Sequence, residues 1–443
     1  MNWNLGQLEC HFCNAQFNCS IGLSNKETVQ VFSFCCHHCS GILSVEIDPI
    51  KHADYKLINV KRVERPEKGL FDLKSVRLHL DFPAVVTNGW IPFSPFSIAT
   101  LMLREGARIE HFKVVTSELN FYSKNILTLQ SIFNFHKNGK AKQLYLASEI
   151  LLREDFGVID GDPGYTSKMG VLDDITPREL DVIFYKTLMG VSVVLNKGEY
   201  PDHEIKNLSS YFSSLDAERL YDFHSYLLNN GYLKSSAETI NNIYSNIFSN
   251  EEFFRPSIFL ADYSEMASKD KKSPLRLVSE KVSTILNIYK DLVEVIAKQY
   301  IVIVGLRNIK DNKSYDVFNK KTVRMGRRSI NINSMADFSS LDLGVKPKFM
   351  EGCLYFDELA QLSNKIRNSI AHNNWGYDEL TQEVTFRFSK NVDEEASAEN
   401  TLSKNMLEFN GDVICLFRLM HKLNVVNYLF VCFFGCRDFS EEE

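Results

Sequence analysis

Two short cysteine pairs near the start of the chain restrict its fold more than any other feature. Cys10-His11-Phe12-Cys13 and Cys36-His37-His38-Cys39 are C-x-x-C knuckles separated by twenty-two residues. Each knuckle can aim two thiolates at one tetrahedral ion, and the spacer suits a small hairpin that brings the pairs together. Six of the ten cysteines fall in the first forty residues. In a cytosolic chain this clustering points to zinc rather than disulfides, with redox pairs or buried apolar cysteines as the alternatives. The expected ligands are Cys10, Cys13, Cys36 and Cys39. If residues 31–35 form a strand, Phe32 and Phe34 share one face and Val31, Ser33 and Cys35 the other. Cys35 and Cys36 then point in opposite directions, and Cys36 completes the knuckle spacing. Cys19, Cys35 or one of His11, His37 and His38 remains an alternative for one ligand. Four thiolates leave no open coordination position, so the expected zinc is structural and no catalytic metal is expected.

At 443 residues the chain is too long for one ordinary core. The expected fold is mainly α: a zinc ribbon over 1–48, a β-rich segment over 49–96, a helical middle domain over 97–273 and a helical C-terminal domain over 274–443. Strands are expected at 41–47, 56–65 and 73–81, and helices at 97–105, 115–135, 140–153, 176–195, 204–213, 217–230 and 236–248. Residues 155–174, rich in Gly and Asp, read as a surface loop. Their DFG triplet lacks the other kinase signatures and carries no argument. The middle region holds no recognisable chemistry and reads as sensor or regulator. In the last part, 281–304 reads as a long helix or a helix running into a strand, with a motif helix at about 355–372, a hairpin through 384–388 and a final helix at about 402–426.

The N-terminus has no basic stretch followed by an apolar run, and the apolar segment 425–436 is too short to span a bilayer. A cytoplasmic protein with no membrane contact is expected. The net charge of −6 argues against a general nucleic-acid coat, so any RNA contact must be local. Between residues 307 and 328 lie Arg307, Lys310, Lys313, Lys320, Lys321, Arg324, Arg327 and Arg328, against only Asp311 and Asp316, with Tyr315 and Phe318 among them. That is the composition of a phosphate-gripping loop, with Lys320, Lys321, Arg324, Arg327 and Arg328 as candidate RNA contacts. A solvated basic loop is the plain alternative.

Residues 359–375 (LAQLSNKIRNSIAHNNW) carry the candidate chemistry. Leu359, Leu362, Ile366 and Ile370 recur at helical spacing and form the stripe that packs inward. Asn368 and His372 fall on the opposite side, and Arg367 lies on the flank. The Arg-Asn-x-x-Ala-His run closing this helix, followed by Asn373-Asn374-Trp375-Gly376-Tyr377-Asp378 and the strand-like 381–386, resembles the R-(polar)-x-x-x-H motif of HEPN-domain proteins. The same spacing from Arg219 to His224 lacks the amide and the tail, and is coincidental.

The resemblance covers the chain from about residue 279. It implies a HEPN-like antiparallel helical bundle and a metal-independent endoribonuclease of bacterial anti-phage defence or toxin type. His372 would act as general base or acid while the 2′-OH attacks the adjacent phosphorus, leaving a 2′,3′-cyclic phosphate. Arg367 would pair with the phosphate oxygens, and Asn368 would orient the imidazole or bind the phosphate. One histidine serves poorly as both acid and base, so a homodimer with a composite site is implied, together with an RNA substrate and an antitoxin or phage-derived trigger. Two other readings are a non-catalytic HEPN-like binding module and a zinc-ribbon regulator whose C-terminal bundle only dimerises.

Overall fold

The computed structural model describes residues 2–24, 29–50, 55–66, 68–90, 94–95, 97, 109–156, 176–196, 202–260, 277, 281–325, 328–360, 362–388 and 400–434. It opens with eight strands: β1 (Asn2–Cys10), β2 (Gln16–Gly22), β3 (Gln30–Cys35), β4 (Ile42–Ile47), β5 (Tyr55–Ile58), β6 (Val60–Arg62), β7 (Lys74–His79) and β8 (Phe82–Asn88). Helices follow as α1 (Ile109–Lys137), α2 (Ala141–Phe156), α3 (Pro177–Val191), α4 (Asp202–Ser213), α5 (Ala217–Asn229), α6 (Tyr232–Ser249), α7 (Arg255–Leu260) and α8 (Val282–Asn312). A hairpin of β9 (Thr322–Met325) and β10 (Arg328–Asn331) precedes α9 (Met335–Ser340), α10 (Phe356–Ala360) and α11 (Asn364–Ala371). The chain then forms β11 (Trp375–Asp378), β12 (Glu383–Arg387), β13 (Thr401–Asn405) and α12 (Met406–Phe434). The fold is thus mainly helical, with several small sheets. The expected helix at 97–105 and the Gly/Asp-rich loop lie largely outside the described residues.

Contacts divide the chain into two compact units. The first gathers residues 1–124, 249–286 and 372–414, and the second 125–248, 287–371 and 415–443.

In the first unit, one sheet has the order β6-β1-β2-β7-β8, and two three-stranded sheets have the orders β3-β4-β5 and β11-β12-β13. β1 bulges between Asn4 and Gly6, where Gly6 takes φ +76°, a conformation that favours glycine. Leu8, Phe17, Cys19 and Ile21 from the larger sheet and Phe32, Leu43, Val45 and Ile47 from its neighbour form one apolar core. Alternation along β3 buries Phe32 and Phe34 and leaves Val31 exposed. A buried ionic cluster also holds this unit. Arg255 lies between Glu251, one helical turn earlier, and Asp81, whose Oδ1 accepts from Nη1 at 2.7 Å. Ser123 Oγ accepts a further guanidinium hydrogen at 3.1 Å.

Among the described residues, the regular structure of the second unit is helical apart from the β9–β10 hairpin. Its α3 begins with a capping box in which Thr176 and Glu179 bond each other's backbone N–H, followed by Pro177, which has no N–H to satisfy. Its core is aromatic: Phe212 meets Phe430 edge-on at 5.2 Å, and Phe223 packs over Gly305 of α8 so closely that a Cβ there would lie 2.1 Å from the ring. Buried His136 bonds Asp181 at 2.6 Å and stacks on Phe184. In α6 and α12, Tyr244 Oη bonds His421 Nδ1 at 2.7 Å.

Four local expectations change. The expected 355–372 helix is two pieces, because Ser363 Oγ accepts from the Ile366 N–H at 3.3 Å and starts a new helix. The final helix begins at 406, since residues 401–405 pair with β12 and Asn405 Oδ1 caps the Leu407 N–H at 2.9 Å. α8 continues as helix to Asn312, where Lys313 turns left-handed at φ 56°. α12 reaches Phe434 and is long and apolar enough by length and composition to cross a membrane, yet 78% of its apolar window is buried, as in a core helix.

Candidate functional site

The four knuckle thiols come together. Cys10 and Cys39 sulfurs lie 3.8 Å apart, Cys13 and Cys36 sulfurs 3.6 Å apart, and all four within 4.8 Å of one another. A tetrahedron of sulfurs around zinc at about 2.3 Å has edges of about 3.8 Å, so the donor set fits that ion. The same backbone turn builds both halves. Cys10 N–H bonds Ala15 O and Asn14 N–H bonds Cys10 O, and Cys36 with Gly41 and Ser40 repeats the pattern. Asn14 at φ 59° and Ser40 at φ 60° occupy the same left-handed position in the two turns.

Backbone N–H groups also serve the sulfurs. Phe12 N–H donates to Cys10 at 3.4 Å, and the Gly41 N–H holds the Cys39 thiol below its ordinary range. The Ala15 N–H favours a Cys13 thiolate, but desolvation and the three neighbouring thiols push it up to about 12. Such crowding is what a divalent cation relieves. Phe12 lies over Gly41, where a Cβ would meet the ring at 2.6 Å, so the first knuckle covers the second.

The alternative ligands are elsewhere. Cys19 is buried in the apolar core, which pushes its thiol up to about 12. Cys35 points toward Leu380 O at 3.7 Å. Among the described residues no histidine belongs to the cluster; His37 packs edge-on against Phe17.

The motif residues sit at the end of α11. Ile366 and Ile370 are buried along with Leu359 of α10, while Leu362 in the break is half-buried. Asn368 and His372 are exposed, and Asn373 at φ 54° ends the helix. Arg367 is half-buried, with its Nη1 donating to Asn368 Oδ1 at 2.9 Å and its Nε 3.9 Å from Glu294 of α8. Glu294 carries no sequence signal, because it lies more than seventy positions from the arginine it faces. In the coincidental match, His224 is buried and Arg219 pairs on the surface with Asp222.

The basic segment is not one loop. Arg307 pairs with Asp311 at 2.6 Å and Lys310 lies over the Tyr211 ring, so both are engaged on α8. Lys320, Lys321 and Arg324 are exposed at the hairpin; Arg328 opens β10, and Arg327 lies outside the described residues. The two aromatics are not available for stacking. Phe318 is buried against Phe338, and Tyr315 packs on Phe223 and Tyr226.

No family model, no curated protein and no solved structure matches the chain.

Proposed function

We propose that the protein is a metal-independent endoribonuclease of the HEPN type, acting in anti-phage defence or as a toxin, with a structural zinc in its N-terminal ribbon. The observation that carries this reading is the exposure of Asn368 on α11, and of His372 in the turn that follows it, while Ile366 and Ile370 are buried. Asn368 and His372 are thus accessible to a ligand, and half-buried Arg367 is bonded to Asn368 beside them. His372 takes the proton from the 2′-OH or supplies one to the 5′ leaving oxygen. The phosphorus–oxygen bond to the 2′ oxygen forms as the bond to the 5′ oxygen breaks, and Arg367 offsets the charge gathering on the non-bridging oxygens. A second copy of the motif provides the complementary acid or base, which makes the working form a homodimer. Zinc on Cys10, Cys13, Cys36 and Cys39 would hold the two knuckles together and takes no part in the chemistry. The protein then acts in the cytoplasm, under an antitoxin or a phage-derived trigger.

His372→Ala and Arg367→Ala test the proposal. Each should abolish RNA cleavage and any growth arrest or phage protection while leaving a folded protein. Products should carry 2′,3′-cyclic phosphate and 5′-hydroxyl ends, and mixing the two variants should restore partial activity through a composite site. Cleavage that survives His372→Ala moves the chemistry elsewhere. The pairing of Arg367 with Glu294 and Asn368 favours a second reading, a binding module in which this arginine is structural. On that reading no cleavage is seen and Arg367→Ala lowers stability instead.

A further inference from the structure

The β9–β10 hairpin presents a wholly polar outer face. Arg324 stands opposite Ser329 and Thr322 opposite Asn331 in the antiparallel register. Alternation turns Val323 and Ile330 inward, so these four share the other face, and all four are exposed. The Thr322 hydroxyl donates to Asn331 Oδ1 at 2.7 Å and fixes that amide. From Lys320 to Asn331 the sequence has five cations and no carboxylate.

The nearby acids are already occupied. Asp311 is held by Arg307 and by the Asn319 amide, Asp316 accepts the Met335 N–H, and Asp337 accepts the Asn333 N–H. Lys320, Lys321 and Arg324 make no ion pair with a described residue. Positive charge is therefore left over on a surface otherwise made of hydroxyl and amide groups, which complements a polyanion that also carries hydroxyls.

The form of that polyanion follows from what the hairpin lacks. Single-stranded RNA is held by stacking its bases on aromatic rings, whereas Phe318 is buried and half-buried Tyr315 is packed on Phe223 and Tyr226. Double-helical RNA offers instead a wide, shallow minor groove lined with 2′-hydroxyls and flanked by phosphates. We propose that the hairpin docks in the minor groove of an RNA duplex, with Thr322, Ser329 and Asn331 on the 2′-hydroxyls and Lys320 and Arg324 on the phosphates. This rests on the reading of the chain as RNA-directed, and it makes the substrate a structured RNA with a stem beside the cleaved segment.

Fluorescence anisotropy on full-length protein carrying His372→Ala, so that strands stay intact, tests the idea. The probes are an RNA duplex of about 16 base pairs, one of its strands, and the DNA duplex of the same sequence. The RNA duplex should bind about tenfold tighter than either competitor, as two or three neutral hydrogen bonds allow. Ser329→Ala with Asn331→Ala should bring RNA and DNA duplexes toward parity. Arg324→Glu should weaken binding to both and reduce the salt slope by about one. Equal or tighter binding of the single strand, or no duplex binding, overturns the docking even if the wild-type protein cleaves RNA. Duplex preference in a protein that never cleaves upholds the docking and sinks the nuclease.

Discussion

Arg367 and Asn368, consecutive on one short helix, hold each other by their side chains: the guanidinium donates to the amide oxygen at 2.9 Å. Successive helical residues diverge by about 100°, so this bond draws the arginine round toward the exposed side of Asn368. Glu294, 3.9 Å from the other edge of the guanidinium, pulls against it.

Asn368→Ala and Glu294→Gln should therefore have opposite effects. Without the amide the guanidinium relaxes toward Glu294, and cleavage should fall about ten- to a hundredfold, the worth of a hydrogen bond to a charged group. Without the carboxylate, cleavage should rise about two- to fivefold, as for an exposed ion pair. Single-turnover rates measure both, and changes of the same sign would remove Asn368 as a positioning residue.

Purified protein should contain about one zinc per chain. Cys10→Ser should lose the metal and melt at lower temperature, whereas Cys19→Ser and Cys35→Ser should keep it. Full occupancy in a Cys10→Ser/Cys36→Ser double variant would defeat this assignment.

The Arg255 cluster should dominate the mutational sensitivity of its unit. Arg255→Met strands the carboxylates of Asp81 and Glu251, whose side chains are 4% and 9% exposed, and should cost about 3–5 kcal/mol. Lys56→Met breaks the exposed pair with Glu46 and should cost less than about 1 kcal/mol. Urea unfolding compares the two, and similar losses would contradict the argument.

Acid should destabilise the second unit through His421. Burial lowers its pKa from the ordinary 6.5 to about 4. Above 6.5 folded and unfolded forms are both neutral there. Between 6.5 and 4 only the unfolded chain takes the proton, so stability falls with pH across that window, by up to about 1.4 kcal/mol per pH unit. His421→Gln should flatten that limb in a urea titration; an unchanged slope would place the effect on another group.

What the sequence discloses here is what neighbouring residues decide. Knuckle spacing picks out the four thiols that come together, and strand alternation separates Cys35 from Cys36. The outward position of Asn368 follows from helical periodicity, whereas exposed His372 lies in the turn after α11. The break at Ser363 is hidden, because both helical pieces bury the same apolar stripe and the cap competes only once the chain is folded. The fates of Tyr315 and Phe318 are hidden as well. Tyr315 packs on Phe223, some ninety positions away, and such pairings leave no local period. Arg255 and Asp81, 174 positions apart, are the same case.

The first unit draws on residues 1–124 and on segments that end at 414. A ribosome therefore releases Asp81 long before Arg255, and releases the β12 strand, which completes its sheet with β13, later still. The early strands emerge carrying a carboxylate whose arginine partner has not yet been made. Completion of this unit is thus deferred until the segment ending at 414 has been made. A chain cut short of residue 372 lacks both the motif histidine and the strands β11–β13 that complete this unit.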